Sequence, residues 1–301
     1  MNLYNQKASN IRKTWALFCV CCIAVIGIGW IFSYIYHDDA ILYIAIALSI
    51  GTNLVAYWSS DTIALASYQA HEADKTTHKE LYRSVENLSI TAGVPMPRVF
   101  VIPTDSPNAF ATGRNPKHAS IAVTQGLVDR LEPSELEGVL AHELSHVKNY
   151  DTLIMTVVVV LVGVLSLTAQ LFSRTMMFGG GRRDSESNGA NPLFMILGIV
   201  AIIVAPIAGT LLQFAISRKR EFVADASAAL LTRYPEGLAH ALQKISTSEP
   251  FGKTKQATAH LFIANPMHLD AVPQNKIGFI SKLFMTHPPI EERIKALMGS
   301  K

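Results

Sequence analysis

Residues 141–146 read Ala141-His142-Glu143-Leu144-Ser145-His146, and this short stretch decides what the rest of the chain is built to do. Just upstream, Pro133-Ser134 opens a predicted helix, because Ser134 followed three residues later by Glu137 matches a capping box. The helix is expected to run to about Asn149, with Leu136, Val139, Leu140, Leu144 and Val147 on a face that can pack. On such a helix His142 and His146 project from one side a single turn apart, where two imidazoles can chelate one ion. Zinc suits neutral imidazole nitrogen at about 2.0–2.1 Å, and a catalytic zinc keeps three protein ligands and one open position. Glu143 lies beside that open position and off the ligand face, which suits a general base for an attacking water. Composition alone produces an accidental H-E-x-x-H on the order of once per hundred such chains, so the surrounding sequence has to carry the assignment.

A third ligand must come from another ordered element, and Glu221 is the candidate. Asp225 follows one turn later on the same helical face, where a carboxylate can accept a hydrogen bond from a ligand imidazole. Two apolar runs begin just after His146 and end just before Glu221, so a hairpin between them returns both ligand sets to one membrane surface. Periodicity leaves open the alternative that Glu221 pairs with Arg218 or Lys219 on a surface helix.

Half of the 301 residues are hydrophobic and only 16% are charged, which points to segments lying in lipid. A net charge of +3 is too small to argue for nucleic acid as a partner. Cys19, Cys21 and Cys22 all fall in one apolar run, which excludes a disulfide framework of the secreted kind. That run, Trp15 to Tyr36, carries no charge and is long enough for a bilayer core of about 30 Å. It is too long for a signal-peptide h-region and lacks a small-x-small cleavage site, so it reads as an uncleaved anchor. A second run, Ala40 to Ser60, follows after only His37, Asp38 and Asp39, predicting a tight transmembrane hairpin. Lys7, Arg12 and Lys13 on one flank and Lys75, Lys79 and Arg83 beyond the other place both flanks in the cytoplasm by the positive-inside rule. Thr152 to Phe172 and Pro192 to Ile216 are long enough to span as well, although Arg174, Arg182 and Arg183 in the joining loop run against the charge rule.

Between the spans, Leu65 to Leu88 is charged and broadly helical. RVFVI (Arg98 to Ile102), AFAT (Ala109 to Thr112) and SIAV (Ser120 to Val123) are short, β-branched or aromatic, and bounded by Pro, Asn and Gly, as strands are. SRKREFVADASAALLTRY (Ser217 to Tyr234) reads as a helix, and about Ser246 to Lys276 as loop-rich. A last helix is expected from Pro289 to Met298, with Ile290, Ile294 and Leu297 repeating at helical spacing.

Several of these segments together carry a resemblance: the paired N-terminal spans, NAFATG (Asn108 to Gly113), AHELSH (Ala141 to His146), SRKREFVAD (Ser217 to Asp225) and THPPIEERI (Thr286 to Ile294). Over nearly its whole length the chain resembles the HtpX family of bacterial membrane proteases, in the gluzincin group and related to type 1 CAAX prenyl proteases. The resemblance implies an α+β fold: a mostly helical integral membrane protein with a cytoplasmic zincin-like metalloprotease domain that contains a small β-sheet. Its parts would be an N-terminal transmembrane hairpin (1–60), a first part of the protease domain (61–151), a second apolar hairpin (152–216), and a second part of the protease domain bearing the third ligand (217–301).

The same resemblance implies one Zn2+ per chain held by His142, His146 and Glu221, with Glu143 as catalytic base and Asp225 supporting a ligand imidazole. Asn108, Ala109, Phe110, Ala111 and Thr112 resemble the edge strand on which related proteases lay out substrate in extended form, a mode that reads backbone more than side chains; an ordinary core hairpin is the alternative. His287 resembles a downstream His that steadies a tetrahedral oxyanion, or else caps or packs a helix, and Arg293 anchors the last helix. The polar lead of about a dozen residues before the first span departs from the family pattern and receives no role. The expected activity is zinc-dependent endopeptidase cleavage of membrane or misfolded proteins at the cytoplasmic face of a bacterial-type inner membrane, in stress response and protein quality control. The rivals are a prenyl-protein processing protease, whose larger members carry more spans around a chamber, and a zinc-binding membrane scaffold or adaptor, which would have no need of Glu143.

Overall fold

The computed structural model describes residues 3–158, 161, 218–248, 261–263 and 288–299. His287 and the expected hairpin of 152–172 and 192–216, apart from its first residues, lie outside the described residues.

Helices α1 (Leu3–Tyr36) and α2 (Ala40–Trp58) pack against each other as an antiparallel hairpin. Their tight turn is closed by Asp38, whose carboxylate accepts from the Ala40 amide at 2.9 Å. A Cβ at Gly29 would overlap Ala45, so the two backbones meet there as closely as small residues allow. Two windows, Ala8–Tyr34 and Ala40–Trp58, are long and apolar enough to cross a membrane, and only 28% and 11% of them are buried inside the protein. A core helix of a soluble protein would be mostly covered. Here Trp15, Ile23, Trp30, Tyr43, Ile44 and Leu48 face outward, an apolar surface that hydrocarbon satisfies and water does not.

The expected single helix over Leu65 to Leu88 is instead three elements. Helix α3 (Ser60–Ser67) ends where Gln69 turns left-handed, with φ of 53°. Strand β1 (His71–Glu72) follows, then a turn in which Asp74 accepts from the Thr76 amide and hydroxyl at 2.6 Å each, then helix α4 (Lys79–Ala92). A short polar side chain folding back on its own backbone interrupts a helix in this way.

Strands β2 (Arg98–Ile102), β3 (Ala109–Gly113) and β4 (Ala119–Thr124) match the expected segments to within a residue at each end. The sheet order is β1-β2-β4-β3, with β4 parallel to β2 and antiparallel to β3, so β3 is an edge. Alternation divides its side chains between two cores. Val99, Val101, Ala109, Ala111, Ile121 and Val123 join Leu81, Val85 and Leu88 of α4. Phe100, Ile102, Phe110 and Ala122 pack on the other side with Leu65, Tyr68 and Phe262. With both faces covered, the strands read as nearly continuous apolar runs.

After α5 (Gln125–Arg130) comes α6 (Pro133–Lys148), whose start differs from the expected one. Glu132 is the cap and Glu135 completes the box, its carboxylate accepting from the Glu132 amide at 2.9 Å while Lys244 donates to it at 2.7 Å. Pro133 explains the shift from Ser134 and Glu137: its fixed φ and missing N–H suit the first helical position, which makes the residue before it the cap. Helical backbone resumes at residues 151–158, and its Leu153, Ile154, Val157 and Val158 pack on Leu17, Phe18 and Cys21 of α1. Helices α7 (Arg218–Thr232), α8 (Pro235–Ser246) and α9 (Ile290–Leu297) close the domain around α6. Helix α8 was not anticipated from the sequence, and α9 is one residue shorter at each end than expected because Pro289 serves as its cap.

Helices α6 and α8 approach at Gly138, where a Cβ would sit 2.8 Å from the Leu238 amide nitrogen and 2.9 Å from its Cα. These are backbone atoms and cannot swing aside. Gly138→Ala is therefore expected to cost about 1–3 kcal/mol of stability, measured as a lower thermal midpoint of the detergent-solubilised protein; an unchanged midpoint would refute so close an approach.

Candidate metal centre

Helix α6 buries every residue from Leu136 to Val147 except Glu137, so His142, Glu143 and His146 project into the protein interior. Glu221 and Asp225, one turn apart near the start of α7, are buried against them. His142 Nε2 and His146 Nε2 stand 3.2 Å apart. The Glu221 carboxylate completes a triangle, with Oε1 3.6 Å from His146 Nε2 and Oε2 3.8 Å from His142 Nε2. Glu221 thus faces the two imidazoles and not the outer surface of its helix.

The outer nitrogens explain what this triangle requires. His142 Nδ1 lies 2.8 Å from Asp225 Oδ1, and His146 Nδ1 lies 3.0 Å from Asp151 Oδ2. A carboxylate only accepts, so each Nδ1 carries a proton, and in a neutral ring each Nε2 is then a lone pair. When both rings are neutral, two lone pairs and a carboxylate converge in a buried space, an arrangement that favours positive charge among them; in the metal-free protein the His146 proton and the Arg293 guanidinium, 3.4 Å from His142 Nε2, supply it. Tetrahedral bonds of about 2.0–2.1 Å put neighbouring donor atoms about 3.3 Å apart. The observed separations lie close to that edge length, and the three groups fit a divalent metal ion, with ligand atoms all within 4.8 Å of one another.

Two residues support the imidazoles in ways the sequence did not reveal: Asp151 had no assigned role, and Arg293 was expected only to anchor the last helix. Asp151 sits just past the end of α6, where Tyr150 adopts a left-handed φ of 59° and turns the chain back toward His146. Arg293 on α9 is fully buried and grips Asp225 through both oxygens, donating from Nε to Oδ2 at 2.9 Å and from Nη2 to Oδ1 at 2.7 Å. It also donates from Nη1 to the Ile263 carbonyl at 2.8 Å. Expected as the anchor of the last helix, Arg293 is in addition the brace of the carboxylate behind His142. The one available signal was its place in the THPPIEERI segment. Asn108 to Thr112 lie along edge strand β3 and its approach, in the same domain and packed on α6.

The protonation pattern follows from these contacts. Burial would raise the Asp225 carboxyl, but the Arg293 guanidinium and the His142 hydrogen bond outweigh it and hold it at about 2. Burial pulls His142 down to about 4 against its Asp225 hydrogen bond, and the Arg293 cation adds to burial, so the ring is neutral. At His146 burial pulls the same way, yet the Asp151 hydrogen bond and the charges of Glu221, Asp151 and Glu143 win and push it up to about 9.

Such a fold and donor set mark the chain as a membrane-bound metallopeptidase. It belongs to peptidase family M48, whose model matches residues 75–301. It is 43% identical over 300 residues to a protease HtpX homolog of Thermoanaerobacter pseudethanolicus, covering 98% of this chain and 97% of that one. It is 44% identical over 305 residues to a protease HtpX homolog of Lactobacillus acidophilus, covering 98% and 99%. Among solved structures, the crystal structure of S. mikatae Ste24p shares the fold, with a TM-score of 0.51, 20% identity, and coverage of 95% of this chain and 66% of that one.

Metal loading should be coupled to one proton. A metal-free His146 holds its proton below about pH 9, and an incoming ion has to displace it. Apparent zinc affinity should therefore fall about tenfold for each pH unit as pH drops from 9 to 6, with His142 contributing nothing until pH nears 4. Chelator competition at pH 6, 7 and 8 measures the slope, and a flat profile would contradict it.

Proposed function

We propose that the protein is a zinc-dependent endopeptidase with one zinc per chain, held by His142, His146 and Glu221. The observation that carries this reading is the triangle of buried donors at 3.2–3.8 Å, whose imidazoles are turned inward by Asp225 and Asp151. Bound zinc supplies a Lewis acid for the scissile carbonyl and lowers the pKa of a water. Glu143, one residue from His142 and close enough to load the charges of both His146 and Arg293, takes the proton of the attacking water and passes it to the leaving amine.

Strand β3 provides the bed for substrate. Asn108 accepts from the Thr124 amide through its carbonyl, so by alternation residues 108, 110 and 112 bond inward to β4 and residues 109, 111 and 113 turn their backbone outward. In agreement, the Ala109 carbonyl accepts from Ile263 at 2.9 Å on the outer side. The side chains are occupied in the fold: Phe110 packs edge-on against Phe262, and Thr112 bonds to Thr156 at 3.2 Å. What Ala111 and Gly113 offer a substrate is backbone, which reads extended chains with little regard to sequence. That breadth suits misfolded or membrane proteins and a quality-control role in the stress response.

The site belongs to the cytoplasmic face of a bacterial-type inner membrane. Supporting this, the α1 end that carries Arg12 and Lys13 lies beside the metal centre, with Asn10 bonded to Asp151, while the acidic turn at Asp38 and Asp39 lies at the far end of the hairpin. On this reading 1–60 is the anchor, 61–151 and 217–301 build one protease domain around α6, and 152–216 makes the second membrane hairpin.

Glu143→Gln should retain one zinc per chain and lose casein cleavage by at least about a hundredfold, whereas Glu221→Ala should lose the metal itself. Metal analysis and proteolysis on the same preparations check both, and full activity of Glu143→Gln would leave a binding role in place of a hydrolytic one.

A further inference from the structure

The polar lead before the first span has no task as an anchor, since flanking cations are enough to hold a helix in a membrane. Among its described residues Asn10 and Thr14 are deeply buried, and Asn10 is the one whose side chain reaches beyond α1. Asn10 is 3% exposed and donates both hydrogens of its carboxamide across 139 and 141 residues, to the Asn149 carbonyl at 3.0 Å and to Asp151 Oδ1 at 2.6 Å. Both partners are acceptors, so the amide nitrogen must be the atom that faces them. Asn149 caps the C-terminus of α6, where carbonyls lack partners within the helix. Asp151 is the carboxylate whose other oxygen holds His146 Nδ1 at 3.0 Å.

We propose that Asn10 is a positioning residue for the metal centre: the membrane helix α1 fixes the Asp151 carboxylate, which fixes the His146 imidazole, so that full metal affinity requires α1 to be docked. This rests on His142, His146 and Glu221 holding the metal. Of the groups at Asp151 Oδ1, Asn10 at 2.6 Å is a hydrogen bond, while Arg220 Nη1 stands at 3.6 Å. Without Asn10 the carboxylate is free to turn toward Arg220, and His146 loses the partner that sets its tautomer and ring plane. The apolar cluster of Leu17, Phe18 and Cys21 with Leu153, Ile154, Val157, Val158 and Leu161 supplies the docking that delivers Asn10. The two ligand imidazoles are then held alike, each by a carboxylate that is itself braced from a chain end: Asp225 by Arg293 near the C-terminus, Asp151 by Asn10 near the N-terminus.

The test uses the full chain in detergent or nanodiscs and reads zinc affinity by chelator competition, the visible spectrum of the Co2+-substituted protein, and the thermal midpoint of the metal-free protein. Removing a ligand's direct hydrogen-bond partner weakens metal binding about 10–100-fold, which is the expectation for Asp151→Asn. Asn10→Ala, acting through Asp151, should weaken it about 3–10-fold and shift the Co2+ bands in the same sense as Asp151→Asn. Asn10→Asp keeps the shape, removes both donors and sets a second carboxylate beside Asp151; it should be weaker still, and it serves if the alanine variant folds poorly. A lower metal-free midpoint with wild-type zinc affinity and Co2+ spectrum in both Asn10 variants would mean a packing role only and overturn the proposal. His146→Ala separates the two levels: if it binds zinc as tightly as wild type, the metal assignment itself has failed.

Discussion

The structure is organised around three buried side chains, His142, His146 and Glu221, whose donor atoms favour a positive charge between them. His142, His146 and Glu221 point lone pairs and a negative charge into one space a few ångströms wide, from helices that meet only through the tertiary fold. In the metal-free protein a proton on His146 relieves the crowding of these donors, and a metal ion would take that proton's place. A metal bound there would tie α7 to α6, so that the chemistry and the stability of the domain would share one source.

Orientation is enforced from outside the triangle. A neutral imidazole can present either nitrogen, and a free histidine would exchange tautomers. Asp225 and Asp151 remove that freedom by accepting from Nδ1, and each of them would itself turn if left alone in the interior. The bidentate grip of Arg293 settles the first carboxylate. On the far side the second meets the amide of Asn10 on a helix that continues into the membrane. The centre thus lies between α1 and α9, with α6 as the rigid element between them.

The hairpin of α1 and α2 is correspondingly joined to the rest of the fold through both polar and apolar contacts and not only by a linker. Phe18 and Cys21 pack on the segment that follows α6, while α3 passes directly from the end of α2 onto the Phe110 face of the sheet. The edge strand β3 sits between these features and α6, its side chains committed to the two cores and its backbone turned partly outward. These contacts fix the His142, His146 and Glu221 cluster relative to the two membrane-capable helices.

Local signals and chemistry were legible in the sequence by itself. The apolar runs, the short β-branched and aromatic strands and the 3.6-residue spacing of α6 are near-neighbour patterns, and the shared face of His142 and His146 follows from one helical turn. The spacing of Glu221 and Asp225 is likewise one turn, which is why the sequence places both on one helical face. Some errors were also local: Pro133 at the first helical position makes Glu132 the cap, and Asp74 with Thr76 ends the expected long helix, both readable from side-chain chemistry. What only the tertiary structure decided are the contacts that no period encodes. Asn10 on Asp151, Arg293 on Asp225, Lys244 on Glu135 and Gly138 against Leu238 join residues 68 to 141 apart or on separate helices. A polar residue in sequence gives its capacity to bond but not its partner. The partner is chosen when burial removes water and leaves each donor only the acceptors that the packing of helices has brought within 3 Å.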